Sequence, residues 1–423
     1  MKINKYLLFH IIFSAAFISA AGVGYAETLS KPEAIRIALE NNPDIRAAKN
    51  EWEASLARVT QEKAFADPEF EIEFEELPND MSLEDYGERN IGFVQQFEYP
   101  MKWFYRLKAV KRYAEATKFA VYEKAKLDIV YSVKEGYDKV LINAKILEYE
   151  ETNRELLKEF YDKAKLRYES GAVSNLEILR AEVELGRSVN RVKRAESELS
   201  VSKAELNTIL ARDGVSSLDL NDELVYNRIE ISESELKKAA LENRPDLLGT
   251  SLHLESLKAG KSEMKAALFP DLNVGMFRQT ISEQMKKENY WRISFALEIP
   301  VWGFYRQRGI INEASAEIRK EISNQSSLRS NIMLEVETAL HEFNSSREMM
   351  ELFTGKILGI AEKSYEAAVI SYEEGKATYL ELMDARKALT ETRIEYTETF
   401  YNYRLSLISL ERAIGIDIET VSK

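Results

Sequence analysis

Acidic side chains are the groups best placed to do chemistry in this sequence, and they form two patterns. Glu69, Glu71, Glu73 and Glu75 alternate with Phe70, Ile72 and Phe74 in the run EFEIEFE. A strand there carries its carboxylates on one face and its apolar groups on the other. Four like charges side by side cannot back onto a packed core, so that face must meet water. Glu98, near the end of a second alternating run, belongs to the same wetted face. Glu381 and Asp384 stand three apart, on one face of a helix, and copies placed around a narrowing would stack them into acidic rings. Groups of this kind attract and sort ions rather than break bonds. His10, His253 and His341 are too scattered for a metal set, and the chain has no cysteine for a thiolate ligand, a nucleophile, a disulfide or a lipid-modified N-terminus. A net charge of −13 offers nothing to a nucleic acid backbone. The expectation is a protein that is not an enzyme and needs neither metal nor cofactor.

The elements that position these acids are read from periodicity. Lys2 and Lys5, an apolar run from Tyr6, and the small residues Gly24 and Ala26 read as an export signal over residues 1–26, cleaved between Ala26 and Glu27. The rest is one plan written twice, over residues 27–230 and 231–423. Ser30 and Glu33 resemble a capping box, as do Ser232 and Glu235. Pro43 answers Pro245, Pro68 answers Pro270, and Pro100 answers Pro300. The stretch NIGFVQQFEYPMKWFYR, Asn90 to Arg106, returns as YWRISFALEIPVWGFYR, Tyr290 to Arg306. Alternation predicts four strands, at about 69–77, 90–99, 272–280 and 290–299. Ile91, Phe93, Phe97 and Tyr99 share the apolar face of the second, while polar loops over 78–89 and 281–289 join the pairs. Each pair leads into a proline-free rod, roughly 100 Å long at 1.5 Å per residue. The series Ile332, Val336, Ala339, Phe343, Ser346, Met350, Phe353, Ile357, Ile360 marks the seam of the second rod, as Val130, Val133, Tyr137, Val140, Ala144 and Leu147 do in the first. Gly171 and Gly375 end the rods, Ser174 and Thr378 cap the helices that return, and one short strand is expected near Leu224 to Tyr226.

Strands of this length, apolar on one face, suit a membrane barrel, but four cannot close one. Several copies must pool their strands. Two copies give eight strands and an interior filled by side chains, while three give twelve and room for water over the glutamates, which favours the trimer. The order of these features, doubled, resembles the TolC-like outer membrane efflux protein family over nearly the whole mature chain. The resemblance implies a mainly helical fold with membrane β-structure: long coiled-coil hairpins, and a trimer forming a 12-stranded barrel above an α-helical tunnel. It implies an exit duct in the outer membrane, reaching into the periplasm, that works with a periplasmic adaptor and an inner-membrane transporter. A duct for type I protein secretion fits equally, and a periplasmic coiled-coil scaffold outside the lipid is the contrasting reading. Glu381 and Asp384 match the acidic pair at the family's periplasmic constriction. Glu177 and Tyr372 fall where neighbouring hairpins are linked shut, although Ala377 replaces an arginine of the best-known members and Lys376 stands beside it. Tyr168, Gly171, Ser174, Leu176, Gly375, Thr378 and Leu380 are the expected adaptor contacts. Glu69, Glu71, Glu73, Glu75 and Glu98 would line the lumen and favour cations, with Tyr99, Trp103, Trp291 and Trp302 near the lipid boundary.

Overall fold

The computed structural model describes residues 28–418 except 80–82, 84, 172, 221, 223, 284 and 285. The expected signal and its Ala26–Glu27 junction lie outside the described residues. Strand β1 (Thr28–Leu29) is followed by α1 (Lys31–Asn41) and α2 (Pro43–Gln61). Pro43 starts the second helix, and Asn42 caps it by accepting from the Asp44 N–H at 2.8 Å. Strands β2 (Glu69–Glu75) and β3 (Glu88–Phe97) lead into α3 (Pro100–Thr117). A π turn, Lys118–Glu123, carries the same rod into α4 (Lys124–Glu169), and α5 (Asn175–Ile209) returns beside it.

The second half begins after β4 (Asp219–Leu220), which pairs in parallel with β1. This replaces the short strand expected at Leu224 to Tyr226, because the partner available to the linker is the first strand of the chain. Helices α6 (Glu233–Asn243) and α7 (Pro245–Ala266) precede β5 (Asp271–Glu283) and β6 (Lys286–Glu298). The loop expected over 281–289 is instead a continuation of the ladder, with Glu283 opposite Lys286. Alternation is hard to read there because both faces are polar, yet the backbones still pair. Helix α8 (Gly303–Leu352), a π turn (Phe353–Ile357) and α9 (Leu358–Glu373) form the second rod, and α10 (Tyr379–Ile414) returns.

The four long strands make one antiparallel sheet in the order β2-β3-β5-β6. Beneath it α2, α3, α7 and α8 lie side by side in the same order, each continuous in sequence with the strand above it. The cores lie lower down. One surrounds Val133, Tyr137, Val140 and Leu206, where α1 docks on α4; the other surrounds Ile332, Val336, Phe343, Tyr403 and Leu410, where α6 docks on α8. Corresponding elements thus build the two cores, α1 on α4 in one and α6 on α8 in the other. The second seam holds from Ile332 to Met350 and fails at Ile360, which is exposed beyond the π turn. In the first rod Val133, Tyr137 and Val140 are buried, but Ala144 is exposed and Ile142 takes its place.

Capping differs from expectation. Neither Ser30 nor Ser232 uses its side chain on the helix it precedes; Ser232 Oγ instead bonds Ser234 Oγ at 2.9 Å. Ser174 has the extended backbone of a cap without the side-chain bond. The complete capping box is at Thr378 and Glu381.

Candidate functional site: the sheet face and the hairpin tips

The register sorts the sheet into two faces. Phe70, Phe93, Met276 and Ile293 form one cross-strand rung, and Phe97, Leu272 and Leu297 another. These side chains are largely exposed, Phe295 at 73% and Ile293 at 62%, so one chain leaves its apolar face uncovered. At the upper limit of this band Arg278 lies over the Trp291 ring at 5.3 Å. That pairing of charge and indole suits an interface between oil and water.

The opposite face carries Glu69, Glu71, Glu73 and Glu75 on β2, continued by Asn90, Gly92 and Gln96 on β3. Asn273, Gly275 and Gln279 follow on β5, then Arg292, Ser294 and Glu298 on β6. The four glutamates of β2 are exposed on this face, as alternation required. Glu98 is placed differently. The strand stops at Phe97, and Glu98 is drawn under the sheet to Arg106, 2.8 Å from Nη2. Arg106 also meets Glu62 at 2.8 Å and Glu263 at 3.7 Å, so this motif arginine ties together α2, α3, α7 and the end of β3. Burial raises the Glu263 pKa and the arginine opposes that rise. Tyr99 likewise leaves the strand: it precedes α3, its N–H donates to Asp271 Oδ1 at 2.7 Å, and its ring stacks on Phe269. Alternation could not anticipate Phe277, which sits buried on the polar face.

At the other end, Gly171 and Gly375 have φ of +79° and +74°, the left-handed conformation that lets each rod reverse. Tyr168, Leu176 and Leu380 are exposed there, while Ser174 and Thr378 begin the return helices. Glu381 is engaged by the start of its own helix. Its carboxylate accepts from the Thr378 N–H at 2.7 Å and the Thr378 hydroxyl at 2.9 Å, which holds its pKa below the usual range. Asp384 remains exposed and, with Glu177, lines a cleft of about 670 Å³ that also holds Arg180, Arg386 and Lys387. Tyr372 does not bond Glu177 within the chain; its hydroxyl accepts from Arg167. Lys376 pairs with Glu374 at 2.7 Å within the chain.

Sequence reading missed Arg386, which is buried on α10 and donates to the Asn153 carbonyl oxygen at 3.3 Å and Oδ1 at 2.7 Å. It pins the second hairpin to the first. It also missed Asp138, where Lys31 and Arg404 converge at 2.5 and 3.1 Å. Both are single polar residues inside apolar seams, and that interruption was the available signal.

An open sheet with one oily and one wetted face, standing on helical rods of about 100 Å, defines a class of membrane-embedded channel subunits. The chain belongs to the outer membrane efflux protein family, whose sequence profile matches residues 34–212 and 236–416. It is accordingly a protein of the outer membrane. It is 23% identical over 406 residues to the cobalt-zinc-cadmium resistance protein CzcC of Cupriavidus metallidurans, covering 92% of this chain and 91% of that one. It is 20% identical to the outer membrane protein TolC of Vibrio cholerae, covering 96% and 95%. The solved structure of CusC superposes with a TM-score of 0.74 at 18% identity, over 91% of this chain and 92% of that one.

Proposed function

We propose that this chain is the exit duct of a tripartite efflux system, passively conducting what an inner-membrane transporter and a periplasmic adaptor deliver to it. Three copies pool four strands each into a 12-stranded barrel, and their rods continue it as a tunnel through the periplasm. The observation that carries this reading is the open sheet: β2 and β6 each have one unpaired edge, and the apolar face between them is exposed. In lipid neither edge is tolerable, and β6 of one copy laid against β2 of the next removes both. The helices support the same closure. Trp302, the residue that leads into α8, is 89% exposed. A neighbouring copy is what would cover it.

The glutamate face lines the lumen in this arrangement and supports inorganic cations as the cargo class. Support also comes from the names of two relatives, the cobalt-zinc-cadmium resistance protein CzcC and the cation efflux system protein CusC. The hairpin tips are the docking sites for the adaptor. Detergent-extracted protein should be trimeric and conduct ions across a planar bilayer. A monomer, or a trimer that never conducts, would refute the proposal.

A further inference from the structure

The polar face of the sheet departs from its own pattern at one rung. Phe277 pairs with Gly92 on one side and Arg292 on the other, and it is only 3% exposed although Asn273, Gly275 and Gln279 share its face. Glycine makes the space. A Cβ on Gly92 or on Gly275 would lie 2.6 Å from the Phe277 ring, so the ring rests flat on the backbone where two side chains are missing. Arg292 then stacks on that ring, its Cζ 4.6 Å from the centroid. From this shelf the guanidinium reaches Glu73 at 3.8 Å and Glu88 at 4.0 Å. Asn90, fully buried, donates to the same two carboxylates at 3.0 Å (Glu88) and 3.4 Å (Glu73), and Gln279 donates to Glu88. Arg292 remains 35% exposed. Among the described residues no ion pair reaches Glu69, Glu71 or Glu75.

We propose that Arg292, propped on Phe277, is a selectivity-determining residue of the pore: a fixed positive charge that neutralises the acidic wall at one level and limits its preference for cations. The proposal rests on the reading of the sheet as the wall of a water-filled barrel. The wall is then divided lengthwise. Glu69, and Glu71 on the rung of Arg292 itself, present uncompensated charge, whereas the guanidinium leans upward and matches the carboxylates of Glu73 and Glu88. An arginine held by an aromatic ring and two acids cannot swing away from the permeation path as a free side chain could. Each added copy repeats this charge at the same height, so the effect is that of a ring.

The test is the reversal potential of the full-length protein in a planar bilayer under a potassium chloride gradient. Arg292→Gln should raise the cation-to-anion permeability ratio roughly two- to five-fold, the effect of removing one screened unit charge per copy from the wall. Arg292→Lys should stay near the parent, and Phe277→Ala should fall between. Because the chain has no cysteine, Arg292→Cys also provides an independent probe. A cationic thiol reagent should restore the parental ratio and an anionic one should raise it further. An unchanged ratio in a conducting Arg292→Gln protein, or a conducting Arg292→Cys protein indifferent to both reagents, would overturn the proposal. Absence of conductance in the parent would instead overturn the duct reading on which it rests.

Discussion

Removing the Asp138 carboxylate should loosen the junction where the first helix of the chain meets the rods. Asp138 is 4% exposed in its side chain and receives Lys31 at 2.5 Å and Arg404 at 3.1 Å, from α1 and α10 respectively. Asp138→Ala strands both cations, and breaking a buried ion pair costs about 3–5 kcal/mol. Two features place the expected loss at the lower end. Arg404 is 29% exposed and can turn to water. Lys31 is 17% exposed, and burial already lowers its pKa against the attraction of Asp138, so it can shed its proton when the carboxylate is gone. A loss of about 3 kcal/mol corresponds to about 100-fold in a local opening equilibrium. The assay is amide exchange followed by mass spectrometry, read on the peptide covering α1. The rest of α1 is held by the apolar packing of Ala34, Ala38, Ile35 and Ile37, which stays in place, so its protection should fall by about that factor while that of α5 is kept. Asp138→Asn keeps an acceptor and should lose much less. If Asp138→Ala left α1 protection within three-fold of the parent, the network would be ornamental and this reasoning wrong.

Further outcomes follow from the same structure. The depressed pKa of Glu381 means that its contribution to the start of α10 is complete above its ordinary value of 4.5 and is lost as pH falls through the lower folded value. Amide protection in the first turn of α10 should fall on acidification; Thr378→Ala, which removes the hydroxyl but keeps the backbone donor, should weaken that pH dependence, and Glu381→Gln should abolish it. Arg106→Ala should cost about 2 kcal/mol in thermal unfolding, discounted from a fully buried pair because the arginine is 26% exposed. Arg106→Lys, unable to span Glu62, Glu98 and Glu263 together, should recover only part. Gly92→Val drives a side chain into the Met276 carbonyl and the Phe277 ring, and should abolish heat-modifiable, assembled protein on gels.

Much of the architecture was legible because it depends on local periodicity. The run from Phe70 to Phe74 needed no partner to reveal its faces, and Gly171 and Gly375 announced the ends of the rods through a conformation that few other residues accept. What remained hidden was decided by partners outside the strand or helix turn being read. Glu98 looked like the next acid of the lumen until Arg106 claimed it, and Tyr372 is matched by Arg167 rather than Glu177. Glu381 followed a nearer rule than the one used to read it. Three residues after a threonine cap, a glutamate folds back onto the backbone, and that bond outranks helix-face geometry. Phe277 shows the limit of alternation itself, since two glycines on neighbouring positions let an aromatic ring occupy a polar face.

The π turns at Lys118–Glu123 and Phe353–Ile357 bear on how these rods tolerate changes in length. One surplus residue rotates everything beyond it by about 100° around the helix axis. Above the first turn the rod lies on α2 and α7; below it, on α1, α5 and α10. Deleting one amino acid from the regular helix between Lys124 and Tyr131 would swing Val133, Tyr137 and Val140 away from the neighbours they now meet, even though the chain would be shorter by only about 1.5 Å, whereas a deletion within Lys118–Glu123 can be taken up by closing the wide turn to an α turn. Indels in these shafts should therefore survive as matched sets that restore phase, whereas the hairpin ends can lengthen or shorten without misaligning anything above them.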